Sequence, residues 1–196
     1  VSVFGNSIDY ESINKIIKNK SIFLIEDSAA SLGTSYKNKN VGNISDFSIF
    51  SFHPRKSITS GEGGVLTTNN KIIAIWLKKY KSFGFNKNKN SHFEIVGTNL
   101  KFSNINAIFA LSQLEILDKI LHKKKKLALR YIDKLSRNKN IKFQKITPNS
   151  THSYQTFCIV VENRDFLINK LREKGIETQI GYYALSEQNA FKNCKH

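Results

Sequence analysis

The sequence predicts an α/β protein whose sheet is mainly parallel. Short apolar runs alternate with stretches in which apolar residues recur at helical spacing, and this alternation is typical of strands connected by helices. One apolar run, Ile22–Ile25, has no polar residue, as is common for strands that are covered on both faces. The 196 residues are enough for one large domain, or for one domain and part of a second.

The first half of the chain contains the strands and helices of a predicted large domain. The predicted strands are Val1–Phe4, Ile22–Ile25, Phe47–Phe52 and Val65–Thr68. The predicted helices are Tyr10–Lys18 and Lys71–Lys81, in which isoleucines recur at helical spacing. We therefore place part of a large domain over residues 1–120.

The second half begins with a predicted loop and a long helix. Residues 83–99 are polar and rich in Asn and Lys, which predicts the loop. A helical pattern then runs from about Asn104 to Arg137, and its length suggests a connecting helix between two domains. The elements predicted after it are a strand at Tyr154–Val161, a helix at Asp165–Lys174 that Gly175 ends, and a strand at Ile176–Ile180. Residues 121–196 are therefore predicted to hold the connecting helix and part of a small C-terminal α+β domain.

The composition favours a protein of the cytoplasm. No run of about 18 apolar residues predicts a transmembrane helix, and the first residues do not have the pattern of a signal peptide. Cys158 and Cys194 are far apart and have no metal-ligand spacing around them, so we expect neither a disulfide nor a metal site. The chain has no methionine and starts on a strand-like segment, and we therefore expect an internal segment of a longer protein.

The formal net charge of +16 is the unusual bulk property. Such a charge fits a nucleic-acid partner or a substrate that carries several phosphates. It also fits a chain that is simply rich in Lys, Asn and Ile throughout. The basic runs, such as Lys123–Lys126, have no interleaved aromatic residues for stacking on bases, so we expect neither a nucleic-acid nor a membrane partner. We expect the Lys123–Lys126 run to lie on the solvated side of its helix.

Polar residues follow the predicted strands at the points where open parallel sheets bind ligands. Asp27 comes after the second strand, Ser51 ends the third, and Lys56 comes five residues later, before the turn Gly61–Gly64. Pyridoxal phosphate requires an amine for its aldehyde, a carboxylate beside its ring nitrogen, and donors for its phosphate. Asp27, Lys56 and Ser51 can supply these groups. By spacing alone, a capping aspartate, an ordinary surface lysine and a simple glycine turn account for the same residues.

A resemblance to a known family decides between these interpretations. The segments that carry it are Ile25–Gly33, Tyr36–Gly42, Phe50–Gly64, Gly97–Ala107, Gln113–Leu117 and Lys174–Gln179. In this order they resemble the DegT/DnrJ/StrS family of pyridoxal-phosphate-dependent sugar aminotransferases. The resemblance implies the type I aminotransferase fold, here as part of the large domain with its mainly parallel sheet and part of the small α+β domain.

The resemblance also implies roles for single residues. Lys56 matches the catalytic lysine that forms the Schiff base with pyridoxal 5'-phosphate, Asp27 the partner of the pyridinium nitrogen, and Ser51 a phosphate ligand. Asn99 matches an asparagine that reaches the cofactor phosphate of the neighbouring subunit, which implies a homodimer with shared active sites. The family's glycine-rich phosphate loop and ring-stacking aromatic residue would precede Val1, and a closing segment would follow His196.

The sequence departs from the family pattern at three places. Ala30 stands where many members have Gln or His near the cofactor's phenolic oxygen. Lys101 stands where Arg is common, so the charge is kept but the planar fork is lost. Ser186 stands at a position near the substrate that is often His. These departures leave the core cofactor set intact and place the substrate specificity in doubt.

The function implied by the resemblance is transfer of an amino group, with glutamate as the expected donor, to a nucleotide-linked keto-sugar. Such a reaction belongs to amino-sugar and cell-surface polysaccharide biosynthesis. Two alternatives stay open at this point. A related pyridoxal-phosphate sugar dehydratase would have His in place of the lysine, and Lys56 argues against it. A truncated, noncatalytic, basic binding protein is the second alternative.

Overall fold

A computed structural model describes residues 1–86 and 92–192. The chain forms two compact units. The first consists of Val1–Asp133 with Lys145–Phe157, and the second of Lys134–Gln144 with Cys158–His196. These two units are defined by compactness alone and do not test the predicted domain boundary at residue 120, which stays a prediction.

The described strands are short. In chain order they are β1 Ile25–Asp27, β2 Ser35–Tyr36, β3 Lys39–Asn40, β4 Phe47–Ser51, β5 Gly64–Thr67, β6 Phe85–Asn86, β7 His92–Phe93, β8 Lys142–Phe143 and β9 Ile159–Val160. Strands β1, β4 and β5 form a sheet in that order, and the remaining strands form two-stranded pairs. Strands β1 and β4 are parallel, whereas β4 and β5 are antiparallel. The loop from β4 to β5, residues 52–63, contains no helix, whereas the crossover between parallel strands usually contains one.

The described helices have the expected capping chemistry. They are α1 Tyr10–Ile17, α2 Lys71–Tyr80, α3 Asn104–Leu114, α4 Leu117–Leu135 and α5 Arg164–Glu173. At the start of α1 the Asp9 carboxylate accepts a hydrogen bond from the Ser12 amide, and Asn70 caps α2 in the same way. Ser103 caps α3. These side chains satisfy amide groups that the first helical turn leaves without a partner. None of the described helices is both long and apolar enough to cross a membrane.

Some predicted elements were wrong. The segment predicted as a strand at Val1–Phe4 contains the 3-10 helix Val3–Gly5, in which Phe4 and Gly5 have positive φ angles of 59° and 102°. A strand cannot continue through this turn, although Ser2 N still donates to Asp27 O at 2.9 Å. The strand predicted at Ile22–Ile25 begins only at Ile25, because the Leu24 amide bonds to the Asp46 carboxylate, 2.7 Å away, instead of to a neighbouring strand.

The long helix predicted from Asn104 to Arg137 is two helices. Helix α3 ends at Leu114 and α4 starts at Leu117. At the junction the Ile116 amide donates to Gln113 O, three residues back, and this tighter turn ends α3. The predicted strand Tyr154–Val161 is reduced to β9, and Ile176–Ile180 forms no strand in the described chain. The predicted loop 83–99 contains β6 and β7, and its residues 87–91 lie outside the described residues.

The core of the first unit lies against one face of the sheet. One cluster of buried residues is Tyr10, Tyr36, Val41 and Phe50, and another is Phe52, Ile58 and Ala110. Burial of the larger aliphatic and phenylalanine side chains among them stabilises the fold by about 1.5–3 kcal/mol each. The opposite face of the same sheet leaves Ile25 63%, Ile49 42% and Leu66 42% exposed.

The second unit contains the β8–β9 pair and α5. The predicted end of α5 at Gly175 is confirmed, because Gly175 has a φ of 72° and its amide donates to Arg172 O. The next amide, of Ile176, donates to Leu171 O at 2.9 Å. This pair of bonds is the Schellman arrangement, which only a residue tolerant of positive φ completes without strain.

Candidate active site

The pairing of β1 with β4 brings Asp27 and Ser51 to the same end of the sheet. Asp27 is the last residue of β1 and lies beside Ile49, and Ser51 is the last residue of β4. Since alternate residues of a strand point to the same face, Asp27, Ile49 and Ser51 share one face. Asp27 and Ile49 are exposed there, whereas Glu26, Ser48 and Phe50 on the other face are buried.

Asp27 keeps half of its carboxylate free for another group. Its Oδ1 accepts a hydrogen bond from the Ala29 amide at 3.0 Å, which orients the side chain. Within residues 1–86 and 92–192, no donor contacts Oδ2. Asp27 is therefore positioned by its own turn and can still pair with a cation or a protonated nitrogen.

Ser51 and Lys56 likewise retain unused donors. The Ser51 hydroxyl oxygen accepts from the His53 amide at 3.3 Å, which leaves its hydrogen available. The Lys56 backbone amide donates to His53 O at 2.9 Å, and this bond closes the turn from which the Lys56 side chain extends. Lys56 Nζ has no hydrogen-bond or ion-pair partner among the described residues, and the side chain is half-buried.

The loop that carries Lys56 is closed by backbone and side-chain contacts. The Phe52 amide donates to Gly63 O at 2.9 Å, and Thr59 Oγ1 donates to Phe52 O at 2.8 Å. A Cβ atom at Gly64 would lie 2.7 Å from Phe50 O, so glycine is required for this close approach of the backbone. The Gly61–Gly64 turn therefore lets β5 return directly beside β4.

Sequence reasoning missed a buried carboxylate next to Asp27. Glu26 is 1% exposed and accepts hydrogen bonds from three hydroxyl groups, those of Ser2, Tyr10 and Ser45. Burial, together with the hydrogen bond to Glu26, raises the pKa of Tyr10 well above its usual range. The only sequence signal was a charged residue directly after the predicted strand Ile22–Ile25.

Sequence reasoning also missed the residues that hold the Lys56 loop from outside. Gln113 Oε1 accepts from the Thr59 amide at 2.9 Å, and Gln155 contacts Arg55 and Ser57. Lys124, expected on the solvated side of its helix with Lys123–Lys126, is half-buried and donates to Gln155 O. Desolvation by burial lowers the pKa of Lys124. The other three lysines of that run are exposed.

Asn99 lies on an exposed segment that pairs with the end of α2. It forms an isolated bridge with Ser82, and its Oδ1 accepts from the Lys101 amide at 3.3 Å. Its Nδ2 has no partner within the described ranges, so this amide can still donate. Lys101 Nζ lies 5.1 Å from the ring centre of Phe83, and Ser186 lies in the 3-10 helix Leu185–Glu187.

The candidate site contains no metal centre. Within residues 1–86 and 92–192, no group of three or more His, Cys, Asp or Glu side chains could hold a metal ion. Cys158 is a free cysteine, and Cys194 lies outside the described residues.

The unused groups of the site fit the chemistry of pyridoxal phosphate. The ring nitrogen of the cofactor requires a carboxylate, and Asp27 has a free oxygen. The phosphate requires donors, and the Ser51 hydroxyl hydrogen is available. The aldehyde requires an amine, and Lys56 Nζ forms no ion pair with any residue that the structure describes.

Comparison with known proteins agrees with this chemistry. The model of the DegT/DnrJ/EryC1/StrS aminotransferase family matches residues 1–196. The chain belongs to this family. The family predicted from the sequence is therefore confirmed.

Named relatives of this aminotransferase family align with nearly the whole chain. GDP-perosamine synthase of Escherichia coli O157:H7 is 34% identical over 93% of this chain and 50% of that protein. The UDP-4-amino-4,6-dideoxy-N-acetyl-beta-L-altrosamine transaminase of Campylobacter jejuni is 32% identical over 96% of this chain and 52% of that protein. The chain thus spans about half the length of the curated relatives it matches.

Solved structures confirm the predicted fold class. A DegT DnrJ EryC1 StrS aminotransferase from Brucella abortus has a TM-score of 0.89 and 28% identity, over 98% of this chain and 51% of that one. A sugar aminotransferase from Streptococcus pneumoniae, described in a PLP-form, has a TM-score of 0.87 at 24% identity over 98% of this chain and 56% of that one. The type I aminotransferase fold is therefore that of this family member, and the cofactor predicted from the sequence is the one named for the pneumococcal protein.

Proposed function

We propose that the protein is an aminotransferase that binds pyridoxal 5'-phosphate through Lys56 and transfers an amino group to a nucleotide-linked keto-sugar. The observation that supports this proposal most directly is the set of unused groups at the end of the sheet. Asp27 and Ser51 share one face, and Lys56 follows on the loop from the same strand. Each of the three retains hydrogen-bonding capacity that no described residue uses.

Each residue of the proposed site has a separate task. Bound pyridoxal phosphate supplies an electron sink that stabilises negative charge at the carbon next to the amino group. Asp27 would hold the ring nitrogen by pairing with its proton, and Ser51 would donate to the phosphate. Lys56 Nζ would hold the cofactor at its aldehyde and, as a free amine, would accept and return a proton.

The substrate class follows from the relatives' names. One relative is named for a GDP-linked amino sugar and the other for a UDP-linked amino sugar. We propose a nucleotide-linked keto-sugar as amino acceptor and glutamate as donor. The formal charge of +16 suits a substrate that carries a diphosphate. We propose that the reaction takes place in the cytoplasm, where sugar nucleotides and a reducing environment for free cysteines such as Cys158 occur together.

The assignment of Lys56 is tested by trapping the covalent link. The protein is incubated with pyridoxal 5'-phosphate and reduced with borohydride, and the labelled peptide is identified by mass spectrometry. We expect the pyridoxyl label on Lys56, an absorbance band in the visible before reduction, and loss of both in Lys56→Arg. Lys126→Arg, a matched change at an exposed lysine of α4, should retain both. A label that falls mainly on another lysine contradicts the assignment.

We also propose a homodimer with shared sites. Asn99 lies on an exposed segment, and its amide donates to none of the described residues, which suits a contact with the cofactor phosphate of a second subunit. Lys56→Ala and Asn99→Ala proteins should each be inactive alone. After subunit exchange, a heterodimer has one site with both lesions and one intact site, so activity should return in part. Exchange without any recovery of activity means that Asn99 does not act across an interface.

A further inference from the structure

The side chain of Gln155 bridges the two residues that flank Lys56. Its Oε1 accepts a hydrogen bond from Ser57 Oγ at 2.7 Å, and its Nε2 donates to Arg55 O at 2.6 Å. Arg55 O belongs to the peptide group that joins Arg55 to Lys56. One amide side chain, about a hundred residues away in sequence, therefore holds the peptide group before the proposed catalytic lysine and the side chain of the residue after it.

The chemistry of the contacts fixes the orientation of the amide. A backbone carbonyl oxygen can only accept, so the atom that faces Arg55 O must be the NH₂ group. The oxygen of Gln155 then faces the Ser57 hydroxyl, which can donate. A glutamate at this position would direct an acceptor at Arg55 O and lose that bond, while a methionine would keep the length of the side chain and lose both bonds.

The backbone of Gln155 is itself held in place. Lys124 Nζ donates to Gln155 O at 3.2 Å, a charge-assisted bond from a half-buried lysine. On the other side, the turn at Gly5 lies so close that a Cβ there would be 2.8 Å from Gln155 N. The Thr156 amide donates to Phe4 O at 3.2 Å and joins the same turn to the segment. The positive-φ turn that replaced the predicted first strand thus supports the segment that carries Gln155.

Other contacts of the loop lie further from Lys56. Ile58 is 1% exposed in the core, and the Thr59 amide donates to Gln113 Oε1. These contacts hold the loop where it turns back toward β5. The peptide group before Lys56 is instead fixed by His53 O and by Gln155, and Gln155 also holds the Ser57 side chain.

We propose that Gln155 is a positioning residue for Lys56, which sets the direction of the lysine side chain by fixing the peptide group before it and the Ser57 side chain after it. This inference rests on the proposed function, because it gives Lys56 the task of holding pyridoxal phosphate. A loop held on both sides keeps the amine near the place where Asp27 and Ser51 would hold the ring and the phosphate. Without Gln155, Lys56 samples more backbone conformations, and fewer of them direct the amine at the cofactor.

The test compares Gln155→Met, Ser57→Ala and the unsubstituted chain. Each protein is treated with pyridoxal 5'-phosphate, quenched with borohydride at a series of times, and mapped by mass spectrometry. We expect the rate of labelling at Lys56, relative to the other lysines, to fall about tenfold in Gln155→Met and by less in Ser57→Ala, which loses one of the two bonds. A purely structural role would not change the distribution of label among lysines.

A second measurement does not depend on the cofactor. Hydrogen–deuterium exchange of the peptide that contains Lys56 should be faster in Gln155→Met, while the peptides of the β4–β5 pair exchange as before. Gln188→Met serves as the matched control, because Gln188 donates to Ala184 O in the other compact unit. This control should change neither the labelling of Lys56 nor the exchange of its peptide.

The outcomes separate this inference from the proposed function. If Lys56 is labelled in the unsubstituted chain and equally fast in Gln155→Met and Ser57→Ala, the inference is wrong and the proposed function stands. If Lys56 is not labelled in the unsubstituted chain, the proposed function fails and the inference falls with it. Should Gln155→Met not fold, the rate in Ser57→Ala decides, since that substitution removes only a hydroxyl group.

Discussion

The two faces of the β1–β4–β5 sheet place the same kinds of side chain in opposite environments, one buried and one exposed. On the buried face, the Glu26 carboxylate accepts hydrogen bonds from three hydroxyl groups, and its role is therefore structural. On the other face, the neighbouring carboxylate of Asp27 is exposed and keeps one oxygen to which no described residue donates. The serines of β4 differ too, since Ser48 is fully buried and Ser51 stands at the strand end.

This difference teaches how adjacent residues of one strand acquire different functions. A buried polar group must be satisfied by the protein itself, because each unsatisfied group costs about 1–3 kcal/mol. A polar group at the exposed end of a strand can leave capacity unused for a ligand. The predicted catalytic groups lie on the face with unused capacity, and substitutions on the two faces should therefore have separable effects on activity and on stability.

The largest expected effect is on catalysis at the exposed face. Asp27→Asn removes the charge beside the ring nitrogen, so the rate of amino transfer should fall about 10²–10³-fold while the protein stays folded and still binds pyridoxal phosphate. Steady-state kinetics and the borohydride label measure the two properties separately. Asp118→Asn, the same change at an exposed residue of α4, should leave the rate unchanged. Near-normal turnover in Asp27→Asn would refute the assignment.

The next effect is on stability at the buried face. Glu26→Ala leaves three buried hydroxyl groups without an acceptor, so the free energy of unfolding should fall by about 2–4 kcal/mol. Asp27→Ala, one residue along the strand, should lower it by clearly less because the side chain is exposed. Urea denaturation followed by circular dichroism provides the comparison. Equal losses of stability for the two substitutions contradict the distinction between the faces.

A smaller effect separates the two serines of β4. Ser51→Ala removes a donor to the cofactor phosphate, and the apparent Kd for pyridoxal phosphate should rise about tenfold with little change in stability. Ser48→Ala should not affect binding, and it should maintain or raise stability, because the Ser48 hydroxyl is buried with no hydrogen-bond partner among the described residues. An absorbance titration and a thermal melt test both. If Ser48→Ala weakened the binding of pyridoxal phosphate and Ser51→Ala did not, the assignment of the cofactor to the face of Ser51 would be wrong.

The smallest effect concerns Tyr10 and its dependence on pH. Tyr10→Phe removes one donor to Glu26 and should lower the free energy of unfolding by about 1 kcal/mol near neutral pH. Burial, together with the bond to Glu26, raises the pKa of Tyr10 above its ordinary 10.0, so the folded state keeps a proton that the unfolded state releases above that pH. The contribution of this group is therefore complete below pH 10.0 and declines as the pH rises further. Tyr10→Phe should make stability fall less steeply above that pH, and an unchanged alkaline slope would count against the buried network.

The sequence by itself determined the fold class and the candidate cofactor residues. The positions of β4, β5, α1, α2 and α5 were predictable because periodicities of two and 3.6 residues, and a capping glycine such as Gly175, act over a few positions of the chain. The strand-end positions of Asp27 and Ser51 followed from the same local patterns. The resemblance of Phe50–Gly64 to a known family then distinguished Lys56 from the many other lysines.

Only the tertiary structure decided which groups are already satisfied and what holds the lysine loop. The antiparallel direction of β5, the division of the long helix, and the turn at Phe4 and Gly5 depend on pairing and packing that no local pattern specifies. Glu26 became a structural residue because hydroxyl groups from two distant segments converge on it. Gln155 meets the Lys56 loop across about a hundred residues of sequence. Contacts of that kind depend on how the folded chain packs in three dimensions, and local sequence periodicity does not predict them.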